Sequence, residues 1–268
     1  MIWNKESNKE MPALFIGHGN PMNAIEENPF SLAWKRLAEE LPRPDAILCI
    51  SAHWLTQGQT AVTAMSNPET IHDFGGFPQE LFDAQYPAPR SPELAKYIKD
   101  NIKTTDIVLD ENQWGLDHGT WSVLNQMYTD ADIPVIQLSI DYSKPAAYHY
   151  ELGKQLTFLR KKGVLILGSG NIVHNLRVAD FRDLPPYDWC EKFDLLSKEL
   201  IEASDHDSLI NYEKLGKEAM MSIPTPDHYF PLMYILAVQE KDDKVSFPVE
   251  GLTFRSGSMR SVLYETQN

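Results

Sequence analysis

Four histidines stand where apolar runs give way to turns. His18 follows Ala13-Leu14-Phe15-Ile16-Gly17, His53 follows Ile47-Leu48-Cys49-Ile50-Ser51-Ala52, His174 follows Ile166-Leu167-Gly168-Ser169-Gly170-Asn171-Ile172-Val173, and His228 sits in Pro224-Thr225-Pro226-Asp227-His228-Tyr229. Neutral imidazole is a common metal ligand, and a divalent ion needs several such donors held together. Strand ends at one sheet edge can hold residues far apart in sequence at that spacing. No pair has a diagnostic local spacing, and a lone histidine is ordinarily structural. It is the repeated placement after apolar runs, at glycine or turn boundaries, that points to convergence on one metal. A fifth, His118, lies between Asp117 and Gly119 in a turn, away from any apolar face.

Rival chemistries are weaker. Gly168-Ser169-Gly170-Asn171 lacks the Lys-Ser/Thr ending of a P-loop and the third glycine of a dinucleotide fingerprint. Ser169 is not in a Gly-x-Ser-x-Gly turn, which argues against a nucleophile. Arg177 could grip a substrate carboxylate with its bidentate fork, although an ion-pair role is the plainer one.

The elements that must position these residues alternate between strand and helix. Apolar runs at 13–17, 46–52, 61–65, 106–109, 133–140 and 164–167 suit strands, the second apolar throughout and therefore central. Asn28 as N-cap and Pro29 at the first helical position start a helix to Leu41 with Leu32, Leu37 and Leu41 inward. Further helices are expected at 91–103, after Trp121 through Tyr128, at 144–162 with Gly163 as its stop, at 188–203 and at 207–216. Thr225-Pro226 opens another that carries His228 in its first turn and leaves Asp227 to cap it. Residues 245–249 and 252–264 read as antiparallel strands. A long loop, 66–90, rich in Pro, Gly and aromatics, is a candidate pocket wall or lid. The whole reads as one α/β domain, residues 1–268, with a central mixed sheet flanked by helices and the site at one sheet edge.

With 24 Lys+Arg against 38 Asp+Glu, the net charge of -14 repels nucleic acid and anionic membrane surfaces, so neither is an expected partner. Two cysteines, Cys49 and Cys190, make no disulfide framework and match a reducing compartment. The first residues lack the apolar core of a secretion signal, and the longest apolar run, 232–238, is too short to span a bilayer. The expectation is a cytoplasmic protein of undetermined oligomeric state.

Taken jointly, Gly17-His18-Gly19-Asn20-Pro21, Ser51-Ala52-His53-Trp54, Gly115-Leu116-Asp117-His118-Gly119-Thr120-Trp121, Gly168 to Leu176 and Thr225-Pro226-Asp227-His228-Tyr229 resemble the class III, LigB-type extradiol ring-cleavage dioxygenases over nearly the whole chain. Within them the chain is most similar to the 4,5-DOPA dioxygenase branch. The resemblance implies a non-haem metal, Fe(II) for catalysis with Zn(II) plausible in isolated protein, and a small catechol and O2 as partners. By position, His18 and His53 match the family's histidine ligands and His228 stands where better-known relatives use a glutamate. His174 matches the active-site base and could also approach the metal as a fourth ligand; His118 matches the second acid/base. An all-histidine set departs from the usual two-histidine, one-carboxylate triad and suits zinc at least as well as iron. Trp54, Phe74, Phe77 and Tyr229 are candidate walls against the aromatic ring. The implied reaction opens a catechol beside its diol to a muconic semialdehyde; the alternatives are a zinc-dependent hydrolase and a non-catalytic metal-binding protein on the same fold.

Overall fold

A computed structural model of the chain describes residues 3, 7, 10–65 and 68–266. In chain order it runs through β1 (Ala13–Gly17), α1 (Pro29–Glu40), β2 (Ala46–Thr56), β3 (Thr60–Thr63), α2 (Gln79–Asp83), α3 (Pro92–Asn101), β4 (Ile107–Asp110), α4 (His118–Met127), β5 (Val135–Asp141), α5 (Ala146–Lys154) and β6 (Val164–Gly170). The C-terminal part adds α6 (Asp188–Glu202), α7 (His206–Ile210), α8 (Lys217–Ser222), α9 (Phe230–Ala237), β7 (Asp243–Ser246), β8 (Leu252–Thr253), β9 (Gly257–Ser258) and β10 (Val262–Thr266). Eight strands form one mixed sheet in the order β4-β3-β5-β2-β6-β1-β10-β7. Its centre, β5-β2-β6-β1, is parallel, and β10 and β7 add antiparallel strands at one side. The parallel strands are buried on both faces, as their unbroken apolar runs require.

Two apolar layers sandwich the sheet. One packs Trp34 and Leu37 of α1 with Trp121 and Leu124 of α4 against Leu14, Ile16, Cys49 and Leu167. The other packs Leu152 of α5 and Leu232, Ile235 and Leu236 of α9 against Phe15, Leu48, Ile50 and Ile166. None of the described helices is long and apolar enough to cross a membrane.

Helix α1 begins as read: Asn28 Oδ1 accepts from the N–H of Phe30 and Ser31, and Ser31 Oγ accepts from the Asn28 N–H in return. Its inner stripe, however, is Trp34, Leu37 and Leu41, spaced i, i+3, i+7, whereas Leu32 lies on the far face and is exposed. The helix expected over 144–162 stops at Lys154 and continues as a 3₁₀ turn, Thr157–Lys162. Leu152, Leu156 and Leu159 stay buried across the change, so the core is filled by either winding. Gly163 ends the segment with φ 77°. The strand expected over 252–264 breaks into β8, β9 and β10, because Phe254 and Arg255 turn the chain with φ of 38° and 61°.

The difference with most bearing on function concerns His228. Helix α9 starts only at Phe230, and residues 224–229 form turns. The His228 carbonyl accepts from the Asn171 N–H at 2.8 Å, so it is aimed at the end of β6 and not along a helix axis. Gly170 makes this approach possible, since a Cβ there would lie 2.1 Å from that same carbonyl oxygen.

Candidate metal centre

Five imidazoles meet at the carboxyl end of the parallel strands. His18 leaves β1, its N–H donating to Gly170 O of β6 at 3.1 Å. His53 lies within β2, where the register against β5 slips between Ile50 and Leu55, and this irregularity carries the ring out over the strand ends. His118 is the first residue of α4, whose N-cap is Asp117. His174 follows β6, and His228 is held beside it by the Asn171 contact.

Neighbouring acceptors set which nitrogen is bare in His18, His53 and His228. Ser169 Oγ donates its proton to Gly119 O at 2.5 Å, so towards His18 Nδ1, 3.0 Å away, it can only accept. His18 therefore carries its proton on Nδ1 and turns an unprotonated Nε2 into the cluster. His53 Nδ1 lies 3.3 Å from Asp73 Oδ2, and His228 Nδ1 makes a short hydrogen bond with Asp227. A carboxylate accepts only, so these rings too present a bare Nε2. His118 Nδ1 lies 3.0 Å from Asp73 Oδ1, off the line of a hydrogen bond, while its backbone N–H donates to the same oxygen at 2.9 Å.

These donors fit a metal ion. His18 Nε2 and His53 Nε2 are 3.2 Å apart. Two lone pairs facing each other at that distance repel, and nitrogens bound tetrahedrally at about 2.0–2.1 Å stand roughly 3.3 Å apart. The rings of His18, His53 and His228 form a nearly equilateral triangle, with centroids 5.1, 5.2 and 5.0 Å apart. His18, His53 and His118 also offer ligand atoms within 4.8 Å of one another, but the His53–His118 centroid distance of 3.9 Å makes that triangle lopsided. His174, Asp227 and His228 group similarly, yet His174 stacks on His228 at 3.5 Å with 12° between planes. Parallel rings cannot both aim in-plane lone pairs at one point.

Burial and the neighbouring imidazoles hold His18 and His53 well below the ordinary histidine pKa, and bring His174 down to about 2. All three are neutral at neutral pH. For Asp227, burial pushes up, but the hydrogen bond and charge of His228 outweigh it and hold the carboxyl well below the usual range. Asp73 behaves likewise, burial being outweighed by His118. Beneath them Asp117 is fully buried and accepts from Ser51 Oγ at 2.6 Å, Gln137 Nε2 at 2.7 Å and Trp114 Nε1 at 3.3 Å. Gly119 is required here, because a Cβ would sit 2.5 Å from Ser51 Oγ and 2.9 Å from the His53 ring.

The cluster floors a cavity of about 240 Å³ whose walls include Pro21, Phe74, Phe77, Leu176, Phe181 and Phe254. Phe74 and Phe77 come from the long loop, which is broken by α2 and does form a pocket wall. Three expected substrate contacts lie elsewhere. Trp54 is buried and stacks on Trp114, with centroids 5.9 Å apart, facing away from the cavity. Tyr229 is buried against Tyr212 and its hydroxyl donates to Leu209 O at 3.0 Å. Arg177 is exposed and outside the lining. Proximity in sequence to a histidine was misleading: Trp54 points to the opposite side of β2 from His53, Tyr229 turns into the core from a bend, and Arg177 turns to solvent. The capping role expected of Asp227 is also corrected, since its carboxylate serves His228. Asp73 escaped notice altogether. Its only trace in sequence is a carboxylate in the aromatic, glycine-rich stretch His72-Asp73-Phe74-Gly75-Gly76.

Fold and site together define a metal-binding α/β protein with a histidine cluster beneath an aromatic-walled cavity. The chain belongs to the family described as the catalytic LigB subunit of aromatic ring-opening dioxygenase, whose model matches residues 14–262. It is 48% identical to the 4,5-DOPA dioxygenase extradiol of Escherichia coli K12, covering 96% of this chain and 95% of that one. It is 35% identical to the 4,5-DOPA dioxygenase extradiol of Beta vulgaris, over 86% of this chain and 87% of the other. The crystal structure of an uncharacterized protein from Escherichia coli K12 superposes with a TM-score of 0.83 at 42% identity, covering 94% of this chain and 99% of that one. The protein is an extradiol aromatic ring-opening dioxygenase.

Proposed function

We propose that His18, His53 and His228 hold a divalent iron through their Nε2 atoms, and that the enzyme opens a DOPA-like catechol with O2 to a muconic semialdehyde. The observation that carries this is the nearly equilateral triangle of the three ring centroids, with an acceptor beside Nδ1 of each ring. An ion held there would supply Lewis acidity and a path for electrons between catechol and dioxygen. Zinc would supply the first but not the second, which is why iron is assigned for turnover.

His174, neutral and stacked beside His228, takes a proton from a diol hydroxyl at a ring nitrogen. His118, across the cluster, donates a hydrogen bond and then a proton to the oxygen-derived group as the ring opens. Asp73 orients His118 and His53 together. Phe74 and Phe77 flank the ring and keep water from it. Both atoms of O2 end in the product, so no external reductant is consumed. The two free cysteines, Cys49 and Cys190, suit a reducing compartment, and we place the reaction in the cytoplasm.

The test is anaerobic reconstitution with Fe(II), addition of DOPA, then air, with oxygen uptake and a yellow product followed together. Absence of uptake with every catechol tried would sink the assignment. His118→Ala is expected to lose turnover while keeping the metal, and His174→Ala to lose turnover.

A further inference from the structure

We infer that the pocket selects catechols bearing an apolar side chain over those bearing the zwitterionic side chain of an amino acid; this rests on the catechol ring-opening reading above. A catechol anchored by its diol at the histidines turns the opposite edge of its ring, and any substituent there, towards the outer wall. That wall is Pro21, Phe74, Phe77, Leu176, Phe181 and Phe254. Among the described residues no Lys, Arg, Asp or Glu lines the cavity.

An α-ammonium and an α-carboxylate brought against such a surface lose water and gain no countercharge, with Asn20 as the one polar side chain beside the histidines, which is costly for charges. The charged groups nearby are already engaged. Asp73 and Asp227 face the histidines. Asp180 accepts from Arg182 at 2.6 and 2.9 Å, and Arg255 donates to Pro185 O at 2.8 Å while lying 4.2 Å over the Tyr187 ring. Rim side chains point the same way. Phe181 is 74% exposed and Leu176 56% exposed, so the mouth offers apolar surface that an alkyl group would cover and a zwitterion would not. Each methylene so buried is worth roughly fourfold in affinity.

Four catechols of matched length separate the contributions: 4-propylcatechol, 3-(3,4-dihydroxyphenyl)propionate, dopamine and DOPA. With the Fe(II)-loaded enzyme, kcat/KM from oxygen uptake is expected to be highest for the propyl compound, by about tenfold or more over DOPA, mainly through KM. Phe181→Ser should narrow that ratio. Calorimetric binding of the same four to anaerobic metal-loaded protein reads the order without turnover. Propylcatechol binding tightest supports the inference even where oxygen uptake fails and the ring-opening reading falls. DOPA or dopamine leading in either measurement overturns it. So does a lead for the propionate that disappears in Arg177→Ala, which would make Arg177 a carboxylate anchor from beyond the lining.

Discussion

At the amino end of the sheet, the fully buried Arg160 gives Nε to Met11 O at 2.8 Å, Nη1 to Val238 O at 2.9 Å, and both Nη atoms to Asp243 at 2.5 and 2.8 Å. At the carboxyl end, five imidazoles crowd together, and His18 and His53 among them face each other with Nε2 atoms 3.2 Å apart and lowered proton affinity. Both regions bury polar groups, and they do so to opposite ends. The guanidinium finds its acceptors within the chain and ties β1, β7 and α9 together; the imidazoles find half of theirs and leave the other half for something the chain does not contain. Incomplete satisfaction, held in place by a rigid floor, is what distinguishes the reactive end.

Substitutions at the two ends should therefore fail differently. His228→Ala is expected to lower turnover by at least about 10³-fold and to release the metal, with the far-ultraviolet circular dichroism unchanged. Metal analysis and oxygen uptake on the same sample check it; retained metal with full turnover would remove His228 from the ligand set. Arg160→Met should do the reverse, leaving Asp243 buried and unpaired at a cost of about 3–5 kcal/mol in urea unfolding, while the folded fraction still binds metal. Loss of metal affinity in folded Arg160→Met protein would break the separation between the two ends.

The same contrast explains what could be read in the sequence. Strand runs such as 46–52 and the capped start of α1 are local, set by apolar continuity and by Asn28-Pro29, and they were legible. So were the histidines, because each closes an apolar run. The partners on Nδ1 were not legible. Asp73 and Ser169 reach His53 and His18 across the fold, with the slip in β2 placing the His53 ring, while Asp227 is the chain neighbour of His228 and was read as a helix cap instead. Trp54 and Tyr229 misled because both rings pack in the core, against Trp114 and Tyr212.

A histidine outside the cluster sharpens the comparison. His149 of α5 is buried, with Nδ1 2.9 Å from Tyr234 Oη and its ring 4.4 Å from Phe230, and burial brings its pKa down to about 4. A histidine that resists protonation only when folded contributes stability that is complete above pH 6.5. That stability falls as the pH drops towards 4, because the unfolded chain then binds the extra proton. The contribution is about 3 kcal/mol. His149→Asn cannot titrate, so its stability should fall by about that much less than the wild type's between pH 7 and pH 4, measured by urea unfolding of metal-free protein. Equal losses in the two proteins would mean that the cluster alone carries the acid sensitivity.

Asp73 lies where the two kinds of burial meet, since one carboxylate serves two rings with different tasks: Oδ2 towards His53, Oδ1 towards His118. In Asp73→Asn a single oxygen remains, and the amide can only donate at the other position. Either the His118 backbone N–H then loses its acceptor, or His53 loses the acceptor beside Nδ1 and moves its proton to Nε2, where it would face the metal. The expected result is a loss of about 10–100-fold in metal affinity, read by chelator competition. In protein saturated with metal, kcat should fall while KM for the catechol stays, because the walls that hold the ring are untouched. A purely structural carboxylate would instead lower the unfolding midpoint and leave the affinity of the folded protein where it was.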